Sequence, residues 1–109
     1  MALKHVKPNE IVNLASGMEG SEEVGRVALV KTSQFTALRV SLKSGENIPA
    51  HQVPGYATVL CLRGSVEISL DDRKETMSEG DWLYLNQGQQ HAVHSLDESA
   101  LLVTIMLKQ

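Results

Sequence analysis

From Val24 onward, the sequence is a succession of short stretches in which apolar and polar residues alternate between glycine, proline and aspartate turns. Alternation with a period of two is typical of β-strands, and turn signals about every eight to twelve residues predict an all-β sandwich or barrel. We therefore predict antiparallel strands over residues 24–31, 34–43, 48–53, 57–63, 65–70, 74–77, 82–85, 91–96 and 99–107.

Residues 1–23 are predicted to form an N-terminal arm, and residues 24–109 a single barrel domain. Two alternatives stay open for the arm. Either Asn9 caps a short helical turn, or the arm is loose and pairs late with the barrel or with a partner. Gly17, Gly20 and the acidic residues that follow them disfavour a longer helix.

Composition excludes several classes of function. The net charge is −3 and lysine and arginine do not cluster, so neither nucleic acid nor an anionic membrane is an expected partner. Cys61 is the single cysteine, which rules out an intrachain disulfide and fits a reducing compartment. The first residues lack the apolar core of a signal peptide, and no apolar run approaches the roughly 20 residues that span a bilayer. We expect a cytoplasmic protein.

Two stretches carry the residues best suited to chemistry. In the first, residues 45–64, Gly45 is followed by His51, and Gly64 closes the stretch; Val53 and Ala57 lie between them. A proline at position 49, near the start of a short predicted strand, indicates an edge or a bend in the sheet.

The second stretch, residues 80–95, begins at Gly80 and contains Gly88 and His91 at fixed intervals. Asn86 precedes Gly88 by two residues, and Ser95 follows His91 by four. A loop rich in glutamine and glycine leads directly into His91, where it can supply neutral hydrogen-bonding groups to a ligand.

The spacing of these glycines and histidines resembles the two motifs of the cupin superfamily over about residues 34–107. In the family pattern, Val53 and Ala57 stand where a second histidine and a glutamate are expected, and Asn86 and Ser95 replace a proline and an asparagine. The resemblance implies a double-stranded β-helix, a jelly-roll-like antiparallel barrel that is usually dimeric and has its site inside the barrel mouth. It also implies a metal site of three histidines and a glutamate, of which this chain keeps two residues.

We predict His51 and His91 as the metal ligands, facing each other inside one end of the barrel. Imidazole nitrogens suit Fe, Mn, Ni or Zn, and with two protein ligands we expect one weakly held divalent ion. The alternative is that no metal binds and both histidines are vestigial groups in a mostly apolar pocket. From strand alternation, the family pattern and proximity to the histidines, the predicted ligand pocket contains Val53, Tyr56, Ala57, Val59, Gln89, Val93 and Ser95.

Other candidate groups are assigned by strand parity. His94 lies three residues after His91, and residues three apart on a strand face opposite sides, so we expect His94 outside the barrel. Cys61 has inward parity on an apolar strand and should behave as a small hydrophobic residue. Trp82 and Tyr84 share a strand face and are predicted to lie in the core.

Three functions remain open. The first is a module that binds a small organic ligand in the barrel, with or without a metal, and it is our prediction. The second is a metal-dependent dioxygenase or isomerase, which the cupin resemblance permits. The third is a structural or regulatory homodimer with a vestigial pocket. A homodimer is expected in any case, because residues 59–62 and 100–107 are apolar on both strand faces.

Overall fold

A computed structural model describes residues 5–14 and 25–107. Within these ranges the chain forms strands and no helix, which confirms the all-β prediction. The strands are β1 (Arg26–Lys31), β2 (Phe35–Leu42), β3 (Asn47–His51), β4 (Ala57–Arg63), β5 (Ser65–Ser69), β6 (Lys74–Ser78), β7 (Trp82–Leu85), β8 (His91–Ser95) and β9 (Ser99–Met106). The predicted arm boundary and the predicted strand start at Val24 lie outside the described residues.

The strands form two antiparallel sheets that pack face to face. Sheet A has the order β1-β2-β9-β4-β7, and sheet B has the order β3-β8-β5-β6. The edge position predicted from Pro49 is confirmed, because β3 is the first strand of sheet B. Between the sheets lies one core cluster, formed by Val40, Leu42, Ala57, Val59, Cys61, Val66, Ile68, Met77, Leu85, Val93 and Leu101.

Strand alternation explains which side chains enter this core. In β4, Ala57, Val59 and Cys61 are buried while the residues between them are partly exposed. In β8 the buried set is His91, Val93 and Ser95. A strand presents successive side chains to opposite faces, so both sets point between the sheets. His91 therefore reaches the interior by the same rule that buries its apolar neighbours.

The described part of the N-terminal arm, residues 5–14, is not helical. Asn9 has a φ of 74°, whereas an N-cap residue typically has β-region backbone angles, so Asn9 does not have the geometry of a helix cap. The Val6 amide donates to the Leu29 carbonyl at 2.7 Å, and Arg39 Nε donates to the Leu14 carbonyl at 3.0 Å. Residues 5–14 thus agree with the second alternative to the extent that they form no helix and hydrogen-bond to β1 and β2 of the barrel.

The predicted core position of Trp82 and Tyr84 is wrong. Their side chains are 62% and 55% exposed, and they lie on the outer face of β7, an edge strand of sheet A. All four residues of β7 are apolar or aromatic, so alternation left the choice of face undetermined. Leu85, on the other face, fills the core with 2% exposure.

Candidate functional site

A bulge in β3 brings His51 to the inner face of sheet B. Ile48 pairs with Val93, and His51 pairs with His91, so β3 contains one residue more than β8 between the two pairs. Without that extra residue, Ala50 would lie opposite His91. β-Bulges commonly re-aim side chains in this way. Pro49 lies within the bulged segment, which is a usual position for proline in a sheet.

The rings of His51 and His91 lie against each other, with centroids 4.2 Å apart and planes tilted by 57°. Each ring is held by its own strand. His51 Nδ1 is 3.0 Å from the carbonyl oxygen of Pro49, and His91 Nδ1 is 3.1 Å from that of Gln89. A carbonyl oxygen only accepts, so both Nδ1 atoms donate, and in the neutral rings both Nε2 atoms keep a free lone pair.

Burial keeps His91 neutral. Only 9% of His91 is exposed, and burial lowers the pKa of its imidazole below the usual 6.5. The neighbouring His51 acts in the same direction on this pKa through charge repulsion, while the hydrogen bond to the Gln89 carbonyl opposes both effects. The lone pair of Nε2 in His91 is therefore available to a ligand at neutral pH.

The two histidines line a cavity of about 60 Å³ between the sheets. Both sheets contribute to its walls, and most of the lining is aliphatic. The lining residues are Arg26, Leu38, Val40, Ile48, His51, Val59, Ile68, Leu83, Leu85, His91, Val93, Leu101, Val103 and Ile105. An apolar cavity with a few polar groups is the usual form of a small-molecule site.

Of the predicted pocket residues, Val59 and Val93 line this cavity together with His51 and His91. Val53, Ala57 and Ser95 lie elsewhere. Val53 packs against the core cluster, and Ala57 is 2% exposed within it.

Ser95 is fully buried at the C-terminal end of β8, outside the part of the strand that lines the cavity. Its hydroxyl donates to the Asp97 carbonyl and lies 3.2 Å from the hydroxyl of Ser99. These contacts close the turn between β8 and β9, so Ser95 has a structural role at this end of the sheet.

Tyr56 and Gln89 are also outside the cavity lining. Tyr56 is 38% exposed and stacks on Tyr84 with ring centroids 5.7 Å apart, on the outer side of sheet A. Gln89 acts through its backbone, because its carbonyl orients His91 while its side chain accepts a hydrogen bond from the Asn86 amide at 3.0 Å.

His94 lies on the outer face of β8, as its parity predicts. His94 Nδ1 is 2.6 Å from Asn47 Oδ1 on the neighbouring strand β3. His94 is thus directed away from the cavity that His91 lines.

Arg26 is a cavity residue that the sequence did not reveal. It begins β1 and pairs with Val40, which also lines the cavity. Since residues that pair directly across strands share a face, the Arg26 side chain projects toward the cavity. The parity of Val40 on β2 predicts that it faces inward. That prediction extends to Arg26 only once the register of β1 against β2 is known.

The chemistry of the two histidines fits a metal ion only in part. Free Nε2 atoms on adjacent neutral imidazoles suit a divalent transition metal. However, within residues 5–14 and 25–107 no group of three or more histidine, cysteine, aspartate or glutamate side chains could hold a metal ion. A metal at His51 and His91 would take its remaining ligands from water or from a bound small molecule.

Known proteins support the architecture. The cupin domain family matches residues 38–106, which is more than half of the chain. An uncharacterized protein from Aquifex aeolicus is 29% identical over 97 residues, 88% of this chain and 79% of that protein. The structure of a cupin superfamily protein from Desulfitobacterium hafniense superposes with a TM-score of 0.83 at 23% identity, over 99% of this chain and 100% of that chain.

A larger protein contains a similar fold. The oxalate decarboxylase of Bacillus subtilis, which has Mn(II) centres, matches 67% of this chain and 21% of its own length, with a TM-score of 0.64 and 19% identity. The two antiparallel sheets, the positions of the paired histidines and the family match over residues 38–106 lead to one conclusion: the chain belongs to the cupin superfamily and has its double-stranded β-helix fold.

Proposed function

We propose that this protein binds a small organic molecule in the cavity between its sheets, with His51 and His91 as polar recognition groups. The observation that carries the proposal is the arrangement of the two rings. Both Nδ1 atoms donate to backbone carbonyls, so both Nε2 atoms are free to bind a ligand. The aliphatic walls would bury the apolar part of the ligand.

We further propose that the same two Nε2 atoms hold one divalent transition metal weakly. The Mn(II) centres of the fold-related oxalate decarboxylase support this proposal by analogy of fold alone. When bound, such an ion would act as a Lewis acid toward an oxygen atom of the ligand. With two protein ligands, affinity depends on what completes the shell, so metal and organic ligand should strengthen each other's binding.

The test is a titration with Ni or Zn above about pH 7, where free imidazole is neutral. Wild type is compared with His51→Ala and His91→Ala. His91→Asn is a second variant, since its amide can still donate to the Gln89 carbonyl. The matched control is His94→Ala, which removes a histidine from the same strand but from its outer face.

We expect each variant at position 51 or 91 to weaken metal binding by about tenfold or more, and His94→Ala to bind like wild type. Elemental analysis of the purified protein and a thermal-shift screen with small organic compounds complete the test. Stabilisation by a compound without metal supports the binding module. If the variants at 51 and 91 bind metal as tightly as wild type and no compound stabilises the protein, the pocket is structural.

A further inference from the structure

The cavity lining combines aliphatic walls with three polar side chains, Arg26, His51 and His91. None of its described lining residues is an aspartate or a glutamate. The described lining therefore contains no anionic side chain. Arg26 gives the lining one permanent positive charge, and low-dielectric walls strengthen its attraction for a bound anion.

Arg26 is the source of the permanent charge. Its guanidinium makes no ion pair or side-chain hydrogen bond with any residue that the structure describes. It stands at the start of β1, which is an edge strand, and its side chain is exposed to solvent as well as lining the cavity. No described residue therefore competes with a ligand for the five N–H groups of Arg26.

We propose that the ligand of this cavity is a small monocarboxylate, with its carboxylate on Arg26 and its hydrocarbon chain between the aliphatic walls. This inference rests on the proposed function, because it names the class of organic molecule that the cavity binds. Arginine matches a carboxylate with two parallel N–H···O bonds, a geometry that a spherical anion cannot satisfy.

The walls and the volume define the rest of the ligand. The walls are formed by side chains such as Leu38, Val59 and Val103, which offer no hydrogen bonds to a polar substituent. A phosphate or a dicarboxylate would leave charged oxygens unpaired, either against these walls or beside the Nε2 lone pairs of His51 and His91, at a large desolvation cost. Because a cavity of about 150 Å³ accommodates benzene, this cavity of about 60 Å³ should hold a chain of about two to three carbons.

The experiment uses butyrate and its uncharged analogue butyramide, titrated by calorimetry in metal-depleted buffer so that a metal cannot capture the carboxylate. Wild type is compared with Arg26→Gln, Arg26→Lys and Lys31→Gln. Lys31 is the matched control, because it is an exposed cation at the other end of β1 and does not line the cavity.

We expect Arg26→Gln to weaken butyrate binding by about tenfold or more and to weaken butyramide binding much less, because the amide oxygen carries no charge. Arg26→Lys should retain part of the affinity, and Lys31→Gln all of it. Arg26 is exposed, so thermal melting of the free Arg26→Gln variant should match wild type and show that it is folded. Acids from acetate to octanoate should show a maximum in affinity at intermediate chain length.

Two results separate this inference from the proposed function. If wild type binds butyramide as tightly as butyrate, or if Arg26→Gln binds butyrate like wild type, the carboxylate inference is overturned while a cavity that binds organic molecules stands. If wild type binds neither the acids nor the amide, the carboxylate inference is overturned as well. The proposed function then depends on the wider compound screen and on the metal titration alone.

Discussion

Gly64 and the carbonyl group of Glu98 approach so closely that a methyl group at position 64 would lie 2.3 Å from the carbonyl oxygen. The same methyl group would meet the hydroxyl oxygen of Ser99 at 2.7 Å. Gly64 also has a φ of 78°, in the left-handed region. This glycine ends the first cupin motif and joins β4 of sheet A to β5 of sheet B, so its lack of a side chain lets the chain pass from one sheet to the other.

Gly64→Ala should therefore destabilise the protein far more than Gly80→Ala. Gly80 has a similar φ of 92°, but a methyl group there would meet nothing within 4 Å. We expect Gly80→Ala to cost about 1–2 kcal/mol from backbone strain, and Gly64→Ala roughly 3 kcal/mol or more because backbone atoms must move. Urea unfolding measures both free energies. Equal costs for the two variants would contradict the close approach to Glu98.

Cys61 should be chemically inert in the folded protein. Its side chain is 1% exposed, and burial raises the pKa of the thiol. The thiolate is the reactive form, so both access and ionisation are suppressed. We expect alkylation by iodoacetamide to be on the order of 100-fold slower in the native state than in denaturant. A native rate close to that of an exposed cysteine would show that β4 is not packed as described.

The strands were predictable because alternation and turn residues are local properties of the sequence. The bounds of β4 and β7 agree with the prediction, and the bounds of the other strands shift by at most two residues within the described part of the chain. The pairing of His51 with His91 was also within reach, because both motif spacings place these residues at the same end of the barrel.

The details of the cavity were less accessible. Arg26 enters the lining only through the register of β1 on β2, and that register includes a shift between Ala28 and Val30. Tyr56 follows a proline-glycine turn whose direction decides between the cavity and the outer face. Such features depend on contacts between distant parts of the chain, which one sequence read locally does not contain.

Acidification should reduce stability through His91. Burial lowers its pKa in the folded state below the unfolded value of 6.5, so the unfolded chain binds the proton more readily. The stabilising effect of the neutral ring is complete above pH 6.5, and it falls as the pH drops from 6.5 toward the folded-state pKa.

The measurement is urea unfolding of wild type and His91→Asn between about pH 8 and pH 5 in metal-depleted buffer. His51 is present in both proteins, and the difference between their unfolding free energies isolates His91. We expect this difference to move against wild type as the pH falls. A difference that is constant with pH, or that moves in favour of wild type on acidification, would contradict the assigned direction of the pKa shift.

We propose that the outer face of sheet A near β7 pairs with a second copy of the chain. Trp82 and Tyr84 are exposed there. Residues 5–14 of the arm instead contact β1 and β2, at the opposite edge of the same sheet. Large exposed aromatic side chains on an edge strand are typical of an interface. Light scattering at micromolar concentration should give twice the chain mass of 11.9 kDa, and Trp82→Ser with Tyr84→Ser should shift it toward the monomer. The matched control is Lys31→Gln on β1. A mass of 11.9 kDa for wild type would refute the dimer.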